Sequence, residues 1–232
     1  MLSDPPLLRI KKTLPRIDPG LLERFRGCQT GWLVDAQFGR GALDPTIKPL
    51  FATDPARNHC VGTAITCGCG PDDNLALGAA LGLSKPGDIL VASYEGFGSS
   101  ALIGDIMAGM ARNRGITAIV TDAPVRDLVG LREVGLTVFC TGLTPNSPVR
   151  NGPGTVGLPI QIGGRQVATG DLIVADEDGV VSAPHAELKA ILERVNAIKM
   201  AEAEVIVKVR EGMDTPGHVE ALLSGDRIEW LD

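Results

Sequence analysis

Long apolar runs are missing from this sequence. No stretch approaches the roughly 18 consecutive apolar residues that a membrane-spanning helix needs, so we expect no membrane association. Residues 1–20 contain several prolines, but neither an apolar core of about 7–15 residues nor the A-x-A cleavage site of a secretory signal. A cytoplasmic location is therefore expected.

Positive charge is also in short supply. The chain has 22 Lys plus Arg against 28 Asp plus Glu, which gives a formal net charge of −6. Because proteins bind phosphate backbones mainly through Lys and Arg, nucleic acid is not expected as a partner. An acidic protein can still bind an anionic small molecule, provided that positive groups converge in a local pocket.

Paired metal-binding or redox cysteines are absent as well. Cys67-Gly68-Cys69 is not a C-x-x-C motif and has no matching Cys/His pair for zinc, and the three histidines have no ligand spacing. The five cysteines are Cys28, Cys60, Cys67, Cys69 and Cys140. We interpret them as reduced, mostly buried thiols, since such cysteines pack as small hydrophobic residues.

What the chain does contain is enough apolar sequence for a sizeable core, with 44% hydrophobic residues over 232 positions. Helical and strand patterns alternate through its middle, and a Gly163-Gly164 turn then indicates a hairpin. We predict an α/β fold with a mixed β-sheet core flanked by helices. The predicted parts are an N-terminal arm (1–18), one layered domain (19–212) and a C-terminal tail (213–232).

Two polar segments stand out because each lies where a loop or strand leads into a helix, the usual place for ligands in α/β proteins. In Gly104-Asp105-Ile106-Met107, the glycine permits close backbone approach and the first-turn amides favour an anion. In Val125-Arg126-Asp127-Leu128, arginine can grip a 2-oxo acid and aspartate can bind a hard cation. Each segment alone has an ordinary alternative: an acid that complements the helix dipole, or an ion pair at a helix start.

Together the two segments are more informative. One helix and one strand separate them, so both should lie at the same edge of the sheet. Two acids, one arginine and a helix terminus at one edge would suit a metal-bound oxo acid.

These segments resemble the family of class II 4-hydroxy-4-methyl-2-oxoglutarate and 4-carboxy-4-hydroxy-2-oxoadipate aldolases, which also includes the regulator of ribonuclease E activity A. Gly104-Asp105, the run 111–115, the run 121–127 and the run 170–181 carry the resemblance, which extends from about residue 20 to 212. One departure is Ala123-Pro124, where the family commonly has glycine at the first position.

The resemblance implies a role for each residue of the two segments. Asp127 would bind the metal directly, and Asp105 would hold metal-bound water. Arg126 would bind the keto oxygen and carboxylate region of pyruvate. The Gly104 backbone and the amides of Ile106 and Met107 would bind the pyruvate carboxylate.

The resemblance also implies an assembly, a homo-trimer or a hexamer, with sites between subunits. A C-terminal helix projecting onto a neighbouring subunit would supply Glu202, which contacts the metal through water. Glu204 is the fallback at that position.

The implied function is divalent-metal-dependent retro-aldol cleavage of a 4-hydroxy-2-oxo di- or tricarboxylic acid to pyruvate and a second oxo acid, with oxaloacetate decarboxylation as a side activity. No lysine lies in an apolar strand that would lower its pKa, so a Schiff base is not expected. Carboxylate and water ligands favour Mg²⁺ or Mn²⁺. Metal-bound water held by Asp105 and Glu202 is the expected base.

Two alternatives remain open. The chain could be a dedicated decarboxylase of oxaloacetate or a related 2-oxo acid, because decarboxylation yields the same enolate. It could instead be a non-catalytic protein that binds a ribonuclease, as the regulator branch does. Glu202 and the C-terminal extension favour an enzyme, since that branch should need neither.

Overall fold

The computed structural model describes residues 6–51, 54 and 58–231. Residues 1–5 of the predicted arm and Asp232 of the predicted tail lie outside the described residues. The chain divides into two compact units, Met1–Val195 and Asn196–Asp232. The sequence-based boundaries after residues 18 and 212 stay predictions.

Helices and strands alternate through the middle of the described chain, and a succession of strands follows before the last two α-helices. The strands are β1 Leu8–Ile10, β2 Lys48–Pro49, β3 Cys60–Gly68, β4 Asp88–Ser93, β5 Ala118–Thr121, β6 Thr137–Cys140, β7 Gly154–Val156, β8 Ile160–Ile162, β9 Arg165–Val167, β10 Leu172–Asp176 and β11 Gly179–Ala183. The helices are α1 Pro19–Glu23, α2 Thr30–Ala36, α3 Leu75–Leu83, α4 Asp105–Asn113, α5 Leu128–Val134, α6 Leu188–Arg210 and α7 Gly217–Leu223.

Most of the strands form one mixed sheet in the order β1-β7-β3-β4-β5-β6-β2. Strands β3 to β6 run parallel to one another, whereas β7 and β10 pair antiparallel with opposite ends of β3. Strand β10 also pairs with β11, and β8 and β9 form a separate hairpin. This arrangement, with helices against the sheet, confirms the predicted fold class.

The apolar runs of β4 and β5 are buried along their whole length because both faces of the parallel strands are covered. Leu90 and Ile119 face a core that contains buried residues of α3, α4 and α5. Ile89 and Val120 face a second core, shared with the β8–β9 hairpin. The helices that border the candidate ligand segments are thus anchored on one face of the sheet.

The N-terminal segment differs from its prediction. Sequence indicates a loose arm, but Leu8–Ile10 forms β1 and pairs in parallel with β7. A short edge strand whose partner lies far along the chain leaves little local pattern. Asp18 followed by proline is typical of a helix start, and α1 does begin at Pro19, with the Asp18 carboxylate accepting a hydrogen bond from the Leu21 amide at 3.0 Å.

The cysteines are buried and none forms a disulfide. Burial raises the pKa of Cys60 to about 12 and the pKa of Cys140 to about 11. A thiol with such a pKa stays protonated at neutral pH and is a poor nucleophile. Neither Cys60 nor Cys140 is therefore a candidate nucleophile. Within the described residues, no helix combines the length and apolar character that crossing a membrane requires.

The acidic residues at the two ends of β10 have a structural role. The buried Asp176 carboxylate accepts hydrogen bonds from the Thr30 amide at 2.8 Å, the Thr30 hydroxyl at 2.7 Å and the Asp178 amide at 3.0 Å. At the other end, the Asp171 carboxylate accepts from the amides of Ala168 at 2.8 Å and His185 at 3.1 Å. Asp176 thus ties α2, distant in sequence, to the sheet, whereas Asp171 fixes the turns on either side of the β10–β11 hairpin.

Replacing Asp176 with alanine should lower the free energy of unfolding by about 2 kcal/mol, because the buried Thr30 donors lose their acceptor. Urea denaturation measures this change. Glu177→Ala, at the exposed neighbouring position, is the control and should leave the midpoint almost unchanged. Equal midpoints for the two variants would refute the structural role of Asp176.

Candidate active site

The two predicted ligand segments meet at one edge of the sheet. They follow β4 and β5, which are parallel neighbours, so both loops leave the sheet at the same edge. Two backbone hydrogen bonds join the loops: Leu102 N donates to Pro124 O at 2.9 Å, and Arg126 N donates to Ile103 O at 3.0 Å. The proximity expected from the order of elements is confirmed.

Asp127 stands immediately before α5 in the left-handed region, with φ 60° and ψ 47°. This region is costly for most residues but is tolerated by aspartate. Its carbonyl accepts from Leu131 N at 2.9 Å, and its carboxylate lies against Gly104. A Cβ at residue 104 would be only 2.1 Å from Asp127 Oδ2, so the position requires glycine.

Asp105 opens α4, and its carboxylate lies against Gly130 of α5. A Cβ at residue 130 would be 2.3 Å from Asp105 Oδ2 and 2.6 Å from Asp105 Cβ. Gly130 was not predicted from the sequence as part of the site. The available signal was a glycine inside a helix, which costs about 1 kcal/mol relative to alanine and therefore needs a reason.

Arg126 is held beside Asp127. Its Nε lies 3.3 Å from Asp127 Oδ2, and its Nη1 donates to the Ser147 hydroxyl. The side chain remains about one-third exposed. The guanidinium is thus oriented by two partners while still accessible to a ligand.

A cavity of about 290 Å³ unites these groups. Its lining residues are Asn74, Leu102, Ile103, Gly104, Asp105, Ile106, Met107, Met110, Arg126, Asp127, Pro148 and Arg150. It includes every residue of the two predicted segments that was assigned a role. Asn74 and Arg150 also line this wall, and neither was predicted from the sequence as part of the site.

The first-turn amides of α4 differ in their hydrogen bonding. Ile106 N donates to the carboxylate of Asp105 at 2.7 Å, so it is already engaged. Met107 N lies in the same turn, where amides lack an acceptor within the helix. Binding of an anion by both amides, as predicted, would need the Asp105 carboxylate to turn away from Ile106.

The turn at Ala123-Pro124, where the sequence departs from the family pattern, keeps local hydrogen bonding. Ala123 is buried and its amide donates to Thr121 Oγ1 at 3.0 Å. Its φ is not positive, so glycine is not required there.

Glu202 lies on α6 within the second compact unit and is exposed in the chain. Its contribution from a neighbouring subunit stays a prediction, as does the projection of the C-terminal helix onto that subunit.

The donor set fits a hydrated divalent cation. Among the described residues, no group of three or more His, Cys, Asp and Glu could hold a metal. The Asp105 carboxylate nevertheless lies in space that a Cβ on Gly130 would occupy, and the Asp127 carboxylate lies in space that a Cβ on Gly104 would occupy. Mg²⁺ commonly takes one or two protein carboxylates and keeps several waters.

Alanine at position 130 should lower kcat about 10-fold by displacing Asp105, the scale expected for a residue that orients a metal-site group. The added Cβ would also lie 2.6 Å from Asp105 Cβ, so α4 and α5 must shift apart and the midpoint of thermal unfolding should fall as well, although alanine is intrinsically favoured over glycine in a helix. Steady-state kinetics and thermal unfolding report the two effects separately.

Gly109→Ala in α4 is the matched control, because its Cβ would be 3.9 Å from the nearest atom, Val134 Cγ2. It should retain wild-type kcat. Equal kcat values for the two variants would show that Gly130 does not position Asp105.

Comparison with known proteins identifies relatives of this chain. A family model described as RraA-like, Aldolase/RraA, matches residues 30–182. The chain is 34% identical over 183 residues to the protein named "Putative 4-hydroxy-4-methyl-2-oxoglutarate aldolase" of Halalkalibacterium halodurans; this covers 79% of the chain and 85% of the relative.

Solved structures show the same fold. An uncharacterized protein of Pseudomonas syringae superposes with a TM-score of 0.73 at 25% identity, over 85% of this chain and 95% of its own. An unusual member of the RNase ES inhibitor RraA protein family from Streptomyces coelicolor superposes with a TM-score of 0.70 at 28% identity, over 84% of this chain and 100% of its own.

Proposed function

Because this chain belongs to the RraA-like family, Aldolase/RraA, we propose that it is a divalent-metal-dependent aldolase. It cleaves a 4-hydroxy-2-oxo acid to pyruvate and a second oxo acid. The observation that carries the proposal is the single cavity formed by Arg126, Asp127, Asp105 and the start of α4.

The chemistry requires charge to be stabilised at the keto oxygen. The 4-hydroxyl loses its proton, the C3–C4 bond breaks, and the electron pair moves to the C2 oxygen as the enolate of pyruvate. Protonation at C3 then gives pyruvate. A bound Mg²⁺ or Mn²⁺, held by Asp127 directly and by Asp105 through water, would stabilise the enolate charge.

The chain's own residues contribute the remaining steps. The Arg126 guanidinium donates to the keto oxygen, and this hydrogen bond strengthens as the oxygen gains negative charge and becomes a better acceptor. The α4 amides bind the adjacent carboxylate. Asp105 orients the water that takes the 4-hydroxyl proton, and Glu202 of a neighbouring subunit completes this arrangement.

Pyruvate release, coupled to lactate dehydrogenase, tests the proposal. With Mg²⁺ present, 4-hydroxy-4-methyl-2-oxoglutarate should yield pyruvate, and EDTA should abolish the release. Release from oxaloacetate should accompany it, because decarboxylation produces the same enolate.

Each alternative has its own outcome in this assay. Pyruvate from oxaloacetate alone would identify a decarboxylase. No release from either substrate would reject the enzyme and favour a ribonuclease-binding protein, the role suggested by the Streptomyces coelicolor relative.

A further inference from the structure

The cavity contains a second arginine whose charge the proposed reaction does not use. Arg150 lines the cavity and is exposed. Arg126, by comparison, is engaged by Asp127 and Ser147. To the described residues, Arg150 makes neither an ion pair nor a side-chain hydrogen bond, so its guanidinium is available to an anionic ligand.

The backbone on both sides of Arg150 is fixed by the segment that leads into α3. Val149 N donates to Asp72 O at 2.7 Å, and Val149 O accepts from Asn74 N at 3.0 Å. On the other side, the buried Asp73 carboxylate accepts from Asn151 N at 2.5 Å and from Gly152 N at 2.9 Å. Because the loop is already ordered, a ligand at Arg150 would not have to order it.

The neighbouring wall supplies an acceptor that also has no protein partner. Asn74 Nδ2 donates to Leu102 O at 2.8 Å, and since a carbonyl only accepts, this contact fixes which end of the amide is the nitrogen. Asn74 Oδ1 is buried and has no hydrogen-bond partner among the described residues. The acceptor suits a hydroxyl or a water that accompanies a polar ligand.

We propose that Arg150 binds the second carboxylate of a dicarboxylic substrate, at the end remote from the 2-oxo acid group. An arginine can hold a carboxylate through two parallel hydrogen bonds, which gives orientation as well as affinity. The cavity therefore selects 2-oxo dicarboxylates over monocarboxylates of the same length. This assignment rests on the proposed function for the placement of the 2-oxo acid group at Arg126.

Calorimetric binding of two matched ligands in the presence of Mg²⁺ tests the assignment. 2-Oxoglutarate and 2-oxopentanoate share a five-carbon 2-oxo acid chain and differ in the terminal carboxylate. Arg150→Gln should weaken binding of 2-oxoglutarate about 10–100-fold, the range for hydrogen bonds to a charged group. Binding of 2-oxopentanoate should change less than about 2-fold.

Arg24→Gln is the control, since it removes an equal charge from an exposed position outside the cavity lining. It should leave both affinities unchanged. Equal weakening of both ligands by Arg150→Gln would place Arg150 at the 2-oxo acid end and overturn the assignment. Unchanged affinities, or absence of 2-oxoglutarate binding to the wild type, would also overturn it.

Failure of the proposed function would appear separately. The pyruvate-release assay reports the cleavage, whereas the paired ligands report the carboxylate contact without any bond being broken. A wild-type enzyme that releases pyruvate while Arg150→Gln binds both ligands normally would reject only the role of Arg150.

Discussion

Replacement of Arg126 by alanine should reduce kcat for pyruvate release by about 10²–10³-fold, the usual loss when one donor to a developing oxyanion is removed. Asp127 and Ser147 orient the guanidinium, so its contribution is preorganised before the substrate arrives. The side chain is partly exposed, and the variant should therefore keep its fold. Coupled kinetics and thermal unfolding measure the two properties.

Arg126→Lys separates charge from geometry. Lysine retains the positive charge but lacks the planar fork of donors, so its kcat should recover only part of the loss. An Arg126→Ala enzyme with near wild-type kcat would exclude Arg126 from enolate stabilisation.

Alanine at Gly104 should weaken Mn²⁺ binding by about 100-fold, because displacing a ligand from its orientation costs up to that amount. The backbone itself would accept alanine, with φ −125° and ψ −169°. The added Cβ would instead occupy the space of Asp127 Oδ2, 2.1 Å away. Calorimetric titration with Mn²⁺ measures the change without relying on turnover.

A glycine with free space provides the comparison. Gly78 lies in α3 with nothing within 4 Å of an added Cβ, so Gly78→Ala should bind Mn²⁺ with wild-type affinity. If Gly104→Ala also binds normally, the carboxylate that it displaces is not the direct metal ligand.

Local patterns in the sequence predict much of the fold. The Gly163-Gly164 turn is confirmed between β8 and β9, with φ values of 52° and 71° at the two glycines. The apolar spacing of residues 101–114 is typical of a helix, but α4 spans only Asp105–Asn113. Residues 101–103 are buried and apolar, like the core-facing residues of a helix. Their backbone groups, however, form hydrogen bonds with neighbouring loops.

The candidate site also has parts that the sequence predicts and parts that it does not. Asp105 and Arg126 could be placed together because the order of helix and strand determines which edge of a parallel sheet each loop reaches. Their chemical roles stay predictions. Gly130 and Arg150 could not be placed, because Gly130 touches Asp105 across two helices and Arg150 depends on a loop held by Asp73. Such contacts join segments distant in sequence and leave no periodic signal.

The hydrogen bonds made by Asp171 and Asp176 bear on how relatives of this chain are sorted. Both acids belong to the run 170–181, which is highly recognisable in the sequence yet secures the scaffold. If Arg126 and Asp105 act as proposed, a homologue that keeps that run but lacks either residue would keep the architecture and lose the proposed activity. Genome surveys that aim to find catalysts should therefore weight residues 104–127 above this run.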